Sequence, residues 1–565
     1  MADSSVEAGG EREALGGVHA LLSASEMQRV DARAVADGAD GFALMRRAGE
    51  AVARHVSRLA DVGDRVVIVA GPGNNGGDGA VAAHALEQAG FERVALVRAG
   101  GEAREGSDAA RAFGAWQGRA LLVPPEATSL PNDVRAALGG ARVLVDALLG
   151  AGLAREVGGR FADLVRAMDA AGSRDGVHLV AVDLPSGLDG DAHVIRGVAA
   201  RASSTVTFVR LKVAHCLYPG RALCGEILLE DIGMPERALA AVLEAAPAPC
   251  HANDPALWRH ALPRPETTTH KFRRGHVLVR GGPLHQTGAA RLSAGAALHA
   301  GAGLVTLATS REALAVNAAH LTAVMLRPCD TDEDWRALLL DERIGAIVVG
   351  PGNGVDAATA GAVESALAVA PRGAEARAVA NGAEARPAVT DRACVLDADA
   401  LTCHGEERVR FVERLRAYGG PLVLTPHEGE FARLFGADIP DGPSRLHRAR
   451  AAAALAGAVV VLKGADTVVA APDGRATINL NAPPWLATAG AGDVLAGVVG
   501  ALVAQGMSAF AAASAAVWLH AEAARELGWP LTAEQLVPAV GRVLGRLASP
   551  APPPLPRLAL PDQNP

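Results

Sequence analysis

A chain of 565 residues is too long for one ordinary domain, and typical domain sizes divide it into roughly two to four. Half of its residues are hydrophobic, enough for sizeable cores, and a formal charge of −8 with no Lys/Arg run interleaved with aromatics speaks against nucleic acid as a partner. The six cysteines show no C-x-x-C pair and no His/Cys ligand spacing, which argues against a zinc site or a disulfide framework. No signal-type leader or apolar run of membrane-spanning length is present, so a soluble cytoplasmic protein with no membrane partner is expected.

In chain order, residues 1–17 read as a disordered leader. Between 23 and 59 the spacing of Met27, Val30, Ala34, Leu44, Ala48, Val52 and Val56 predicts two helices, broken at 38–41. The apolar run 65–70 predicts a buried parallel strand. It leads directly into Gly71-Pro-Gly-Asn-Asn-Gly-Gly-Asp-Gly79 and a small-residue helix from Ala80, the strand, Gly-rich turn and helix of a phosphate or dinucleotide cradle. Asn74, Asn75 and Asp78 add polar side chains inside that turn. They point to specific recognition or a cation, unless they serve only as turn formers that tolerate unusual dihedrals.

Further strands are predicted at 93–97, 142–146 and 178–183. The last two end in Asp146 and Asp183, each followed by a turn of small residues, so three strand ends converge on one crevice of an open α/β sheet.

With Asp146-Ala-Leu-Leu-Gly-Ala-Gly-Leu-Ala-Arg155 and Val182-Asp-Leu-Pro-Ser-Gly-Leu-Asp189, this first half resembles the NAD(P)H-hydrate epimerase domain, the YjeF N-terminal family, over about residues 18–240. The resemblance implies a Rossmann-like three-layer sandwich, expected over 18–245, with K+ held by Asn75, Asp146 and Ser186. It also implies a hydrated nicotinamide nucleotide contacted by Asn74, Asn75, Gly76, Gly77 and Asp78, by Gly150, Ala151, Gly152, Leu153, Ala154, Arg155 and Glu156, and by Asp183. Neutral amide and hydroxyl oxygens with one carboxylate suit a cation of low charge density. Asp183 is the candidate to move a proton in epimerisation at C6, against the alternative of a structural carboxylate.

Five prolines and weak periodicity place a linker at 246–265. The second half, 266–547, is predicted to carry strands at 276–280, 304–307, 346–350, 394–397, 422–425 and 459–462. A close-packing helix is expected over 287–300, and residues 371–389 read as a low-complexity surface insertion. Leu486-Ala-Thr-Ala-Gly-Ala-Gly-Asp-Val-Leu-Ala-Gly497 puts two glycines and an acid ahead of an apolar helix. The amides of 489–492 would hold an anion at the helix N-terminus, with Asp493 placed to take a proton from an attacking hydroxyl; the plainer alternative is an acid favoured by the helix dipole. Residues 548–565 form a Pro-rich tail.

Together with Thr269-His-Lys271, Gly288-Ala289, Gly350-Pro-Gly-Asn-Gly354 and Thr425-Pro-His-Glu-Gly-Glu430, this stretch is similar to the ADP- or ATP-dependent NAD(P)H-hydrate dehydratases, of ribokinase-like α/β fold, over about 255–545. The resemblance assigns Lys463, Gly464, Ala465, Asp466, Thr467 and Gly492 to the adenine nucleotide, with Mg2+ accompanying ADP or ATP. Ala289, Gly352, His427 and Asp493 fall to the hydrate, with Asp183 and Asp493 the catalytic candidates of the two halves. Phe272, Asn353 and Ala491 depart from the family pattern, and Ala491 lacks the hydroxyl of a threonine, an expected cost in rate.

Fusion in this order is characteristic of bifunctional enzymes that repair hydrated NADH and NADPH (NADHX and NADPHX), and a homo-oligomer is expected by analogy of fold. Two rivals stay open. One is a small-alcohol kinase fused to a Rossmann-like binding module; the other takes the first half as a scaffold.

Overall fold

The computed structural model describes residue 17 and residues 19–265, 269–369, 392–440 and 444–548. The expected leader apart from Gly17, the insertion 371–389 and the tail apart from Ala548 lie outside the described residues. The chain divides into two compact units, one comprising residues 1–252 with 442–448 and the other comprising 253–441 with 449–565.

The first unit is built on strands β1 (Arg65–Ala70), β2 (Arg93–Ala99), β3 (Arg119–Val123), β4 (Val143–Ala147), β5 (His178–Val182), β6 (Ser204–Phe208) and β7 (Glu226–Glu230). They form one parallel sheet in the order β3-β2-β1-β4-β5-β6-β7. Residues 66–69 of β1 are all fully buried because both faces are covered. Val66 and Ile68 pack into a core beside helices Gly41–Val56 and Asn74–Gln88, while Val67 and Val69 pack into another beside helix Gly159–Gly172. This is a three-layer sandwich.

The chain runs outward from β1 through β2 to β3 and then returns to place β4 on the other flank of β1. The switch point between β1 and β4 opens a crevice at their carboxyl ends. β3 was not legible beforehand: an edge strand with alternate residues exposed lacks the apolar run that marked the central strands.

The second unit contains β8 (His276–Arg280), β9 (Leu304–Thr309), β10 (Met325–Pro328), β11 (Ala346–Val349), β12 (Ala393–Leu396), β13 (Leu422–Leu424), β14 (Val459–Leu462), β15 (Val468–Ala470) and β16 (Ala476–Ile478). Their order is β16-β15-β14-β13-β12-β11-β8-β9-β10, parallel from β10 to β14 and antiparallel beyond. Again the order reverses beside the first strand, between β8 and β11.

Helices Thr287–His299, Ala491–Ala504, Ala509–Leu527 and Ala533–Ala548 contribute to the large core on one face. At Gly497 two of them approach so closely that an added Cβ would lie 2.0 Å from the Ser293 carbonyl oxygen.

The expected linker at 246–265 is ordered rather than a free tether. Cys250–Ala252 pairs antiparallel with Ala20–Leu21 in the first unit. Trp258 is fully buried in the second unit's core, its indole N–H donating to Asn253 Oδ1 at 3.1 Å. Prolines erased the periodicity by which buried structure is recognised, but two short turns beginning at Pro255 and Arg259 still carry the tryptophan inward.

Candidate functional site

In the first unit the loops after β1 and β4 meet across the switch point. Helix Asn74–Gln88 begins directly on the Gly-rich turn, with extended Gly73 at its N-cap and no side-chain cap. The turn closes only around glycine at position 76, where a Cβ would sit 1.8 Å from the Gly71 carbonyl oxygen. Asn75 Nδ2 donates to the Leu149 carbonyl at 3.1 Å.

Beneath it Asp146 accepts from the Ser186 hydroxyl at 2.5 Å and from the Ser186 N–H at 2.8 Å, and Ser186 Oγ accepts from the Leu149 N–H at 2.9 Å. Asp146 is buried with no cationic side chain paired to it among the described residues. Burial pushes its carboxyl pKa upward against the lowering effect of the Ser186 bonds. A buried carboxylate lacking a counter-charge, gathered with a hydroxyl, an amide and a carbonyl, is a donor set that fits a monovalent cation.

Above this cluster opens a cavity of about 730 Å³. Its walls include Asn74, Asn75, Asp78, Gly150, Ala151, Gly152, Leu153, Ala154, Arg155 and Asp183, so most of the residues expected at a substrate are together. Three are not among its walls. Gly76 and Gly77 are on the buried side of the helix, where a Cβ at 77 would lie 2.7 Å from Met45 Sδ; Glu156 turns away toward Gly197, whose added Cβ would lie 3.0 Å from Glu156 Oε2. Helical periodicity carries the two glycines inward after Asn75.

Among the wall residues that the sequence did not mark are Asp31 and Lys212. Asp31 lies on helix Ala24–Ala36 and reads there as an ordinary polar-face residue; Lys212 is a lone lysine four residues past β6. Its side chain is only 2% exposed, with Nζ 2.6 Å from Asp183 Oδ1, 3.0 Å from Thr207 Oγ1 and 3.1 Å from the Phe208 carbonyl oxygen. Thr207 passes the contact on by donating to Asp183 Oδ1 at 2.9 Å.

Asp183 itself has φ +64°, a conformation costly for a residue with a side chain and often held at functional positions. Val206 accepts its N–H at 2.8 Å, and His215 donates from Nε2 to its carbonyl at 2.7 Å while accepting the Lys212 N–H at Nδ1. Burial drives the His215 pKa down to about 4, which keeps the ring neutral and this tautomer fixed. Burial pushes the Asp183 carboxyl up, but the Lys212 charge and the hydrogen bonds from Lys212 and Thr207 outweigh it and hold the pKa below the usual carboxylate value. Asp78 shows the opposite balance, driven well above the usual range by burial and then by the charges of Asp183 and Asp31.

In the second unit, β11 runs into the Gly350–Gly354 turn. Asn353 is the staple of that turn, accepting from the Gly350 N–H at 2.8 Å and donating to the Arg280 carbonyl at 2.9 Å, a task an aliphatic residue could not perform. Gly352 stands against Ala289, its added Cβ 3.0 Å from the Ala289 Cβ, so these two expected substrate positions meet. After β12, Asp397 is buried and binds Lys463 Nζ at 2.7 Å; Ala398 has φ +48°, and Asp399 accepts the Gly354 N–H at 2.8 Å.

His427 is the N-cap of helix Glu428–Phe435. Its Nδ1 accepts from the Gly429 N–H at 2.9 Å, Glu430 returns a bond to the His427 N–H at 2.8 Å, and the ring is 56% exposed. It is therefore a capping residue at the surface.

Lys463 also lies 3.8 Å from Glu430 Oε2, and a Cβ on Gly492 would be 3.4 Å from its Nζ. The loop beyond it exposes Gly464 and Ala465, while the Thr467 hydroxyl bonds back to Gly464 and Asp466 is buried. Gly464 and Ala465 are thus the residues it exposes, with the Gly464 N–H and carbonyl both tied to the Thr467 hydroxyl.

Helix Ala491–Ala504 opens on Gly490 in the left-handed conformation, φ +84°. The expected anion loop needs one correction. The Ala491 N–H already donates to the Thr488 carbonyl at 3.3 Å, whereas those of Ala489, Gly490 and Gly492 donate to no backbone carbonyl among the described residues. Asp493 follows in the first turn, its pKa raised to about 7 by burial and by the charges of Asp397, Asp399 and Glu430, with Lys463 opposing.

A family model described as NAD(P)H-hydrate dehydratase matches residues 277–534, and one described as YjeF-related protein N-terminus matches residues 41–214. The bifunctional NAD(P)H-hydrate repair enzyme Nnr of Moorella thermoacetica is 35% identical over 537 residues, taking in 90% of this chain and 93% of the relative. The protein of the same description from Mycobacterium tuberculosis is 34% identical, over 87% of this chain and 90% of the relative. Among solved structures, the ADP/ATP-dependent NAD(P)H-hydrate dehydratase from Bacillus subtilis co-crystallised with ATP/Mg2+ is 27% identical, covering 52% of this chain and 98% of its own, with a TM-score of 0.42. Two acid-centred sites in two α/β units, in this order and with relatives matching along nearly the whole length, leave one assignment: the chain belongs to the family of bifunctional NAD(P)H-hydrate repair enzymes.

Proposed function

We propose that the first unit interconverts the R and S epimers of hydrated NADH and NADPH, and that the second dehydrates the S epimer at the expense of ADP or ATP. The observation that carries this reading is the conjunction in one chain of a carboxyl-lined cavity over an oxygen-donor cluster and a near-neutral aspartate beside free helix N-terminal amides.

In the second unit Asp493 removes the proton of the C6 hydroxyl as its oxygen attacks the terminal phosphoryl group of the nucleotide. The amides of Ala489, Gly490 and Gly492 face the charge that develops. The C6–O bond then breaks with its electron pair on phosphate, the ring nitrogen supplies its lone pair, and loss of a C5 proton restores the reduced ring. Phosphorylation matters because phosphate leaves far more readily than hydroxide. The exposed residues Gly464 and Ala465 contact the nucleotide, Lys463 lies beside the phosphates, and Ala289, Gly352 and His427 border the hydrate.

Among the described residues no group of three or more His, Cys, Asp or Glu side chains is set to hold a metal. Mg2+ would come with the nucleotide phosphates and offset their charge, as is usual for a cation that keeps most of its water. In the first unit Asn75, Asp146, Ser186 and the Leu149 carbonyl would hold K+, which would supply the counter-charge that Asp146 lacks.

The test is absorbance recovery at the reduced-nicotinamide band from a mixed R/S hydrate with Mg2+ and ADP or ATP, with and without K+. Complete recovery, slower in its second half without K+, is expected. A phosphorylated product that accumulates without recovery would instead favour a small-alcohol kinase.

A further inference from the structure

Resting on the epimerase reading, the cavity of the first unit raises a question that one carboxylate does not answer. Inverting a carbon that bears both a hydroxyl and a ring nitrogen requires a proton to be given at one point and taken at another. The cavity walls carry four carboxyls, Asp31, Asp78, Asp108 and Asp183, and one deeply buried ammonium, Lys212. The ammonium does not serve the four equally. Its three short contacts go to Asp183 Oδ1, to Thr207, which itself bonds Asp183 Oδ1, and to the Phe208 carbonyl. The Lys212 ammonium and the Thr207 hydroxyl converge on one oxygen of Asp183, which also lines the cavity.

We propose that Lys212 is a positioning residue that divides the work between two carboxyls, holding Asp183 as the proton acceptor and leaving Asp78 as the proton donor to the C6 hydroxyl of the hydrate.

Asp78 gives its proton to the C6 hydroxyl oxygen. The C6–O bond breaks with its pair on oxygen, water departs, and the ring-nitrogen lone pair forms the C6=N1 double bond. Water then adds to the opposite face, its proton passes to Asp183, and the pair of the C6=N1 bond returns to nitrogen. A proton relayed from Asp183 back to Asp78 resets the site, and no oxidant or further reactant is consumed.

The surroundings favour this allocation. Asp78 is reached by the like charges of Asp183 and Asp31, with Lys212 as the opposing charge. Asp183 is faced by Lys212 and His215, and His215 is neutral at working pH. Asp31 is pushed up to about 6 by burial and by Asp183 against Lys212, and Asp108 is the fourth carboxyl on the cavity wall.

The experiment follows R-to-S conversion by separating the epimers chromatographically, in full-length protein with K+ and without nucleotide, so that the second unit is idle. Wild type, Asp78→Asn, Lys212→Met and Lys212→Arg are compared over a pH series. Hydrate affinity and unfolding midpoint are measured alongside.

Asp78→Asn is expected to lose about a hundredfold or more in rate with affinity within about threefold. Lys212→Met is expected to move the acid limb of the rate profile to higher pH, because Asp183 without its ammonium holds its proton more tightly, and Lys212→Arg to restore part of the shift. A merely structural lysine would lower the midpoint and the rate together and leave the limb where it was. An Asp78→Asn protein with wild-type rate and profile, or an acid limb unmoved in Lys212→Met, overturns the proposal. Wild-type protein that leaves the epimer ratio unchanged refutes the epimerase reading instead.

Discussion

At the scale of single residues, both sites depend on moving a carboxyl away from its ordinary titration, in opposite directions. Asp183 is held ionised by an adjacent ammonium, whereas Asp493 is held near neutrality by burial among other acids. The sign of its pH effect follows. A base with a pKa of about 7 is largely protonated below that pH, so nucleotide-dependent recovery should rise as pH increases through about 7 and level off above it. An acid limb near pH 4 would show instead that water reaches Asp493 freely. Asp493→Asn should lower that rate by about 10²–10⁴-fold while leaving nucleotide affinity close to wild type, read from saturation curves at fixed hydrate. Motif and spacing sufficed to mark Asp183 and Asp493. They did not mark Lys212, because nothing local in the sequence around Lys212 shows that its side chain folds inward.

At the scale of elements, sheet and helix contacts hold the chemistry in place. The central strands were legible because strands covered on both faces read as unbroken apolar runs, while β3 and the short antiparallel β15 and β16 were not, having too few residues for a period to appear. Helix Ala491–Ala504, which presents Asp493, rests on helix Thr287–His299 through Gly497. Gly497→Ala would force a methyl against the Ser293 carbonyl oxygen, 2.0 Å from its ideal position, and the helices would have to part. A loss of about 1–3 kcal/mol is expected, measured as a lower denaturation midpoint, with dehydration falling more than epimerisation because Asp493 rides on the displaced helix. A midpoint equal to wild type would show that this contact yields without cost.

For the whole molecule, the consequence of two active units is that neither epimer of the hydrate is a dead end. Asp183→Asn should therefore let recovery run only as far as the S fraction and then stall near half, where spontaneous epimerisation is slow, with the remainder recovered on adding wild-type protein. Recovery to completion by Asp183→Asn alone would remove Asp183 from the reaction. Among the described residues no helix is long and apolar enough to cross a membrane. The sequence by itself determined the two α/β units, their order and the acids at their strand ends, since apolar runs and Gly-rich turns are local patterns that survive without coordinates. Only the tertiary structure decided that Gly76, Gly77 and Glu156 lie outside the cavity wall, that the expected linker is ordered, and that Lys212 sits 2.6 Å from Asp183. Those facts depend on which residues distant in the chain share a small buried volume, and burial there sets charge and position in ways that spacing along the chain does not encode.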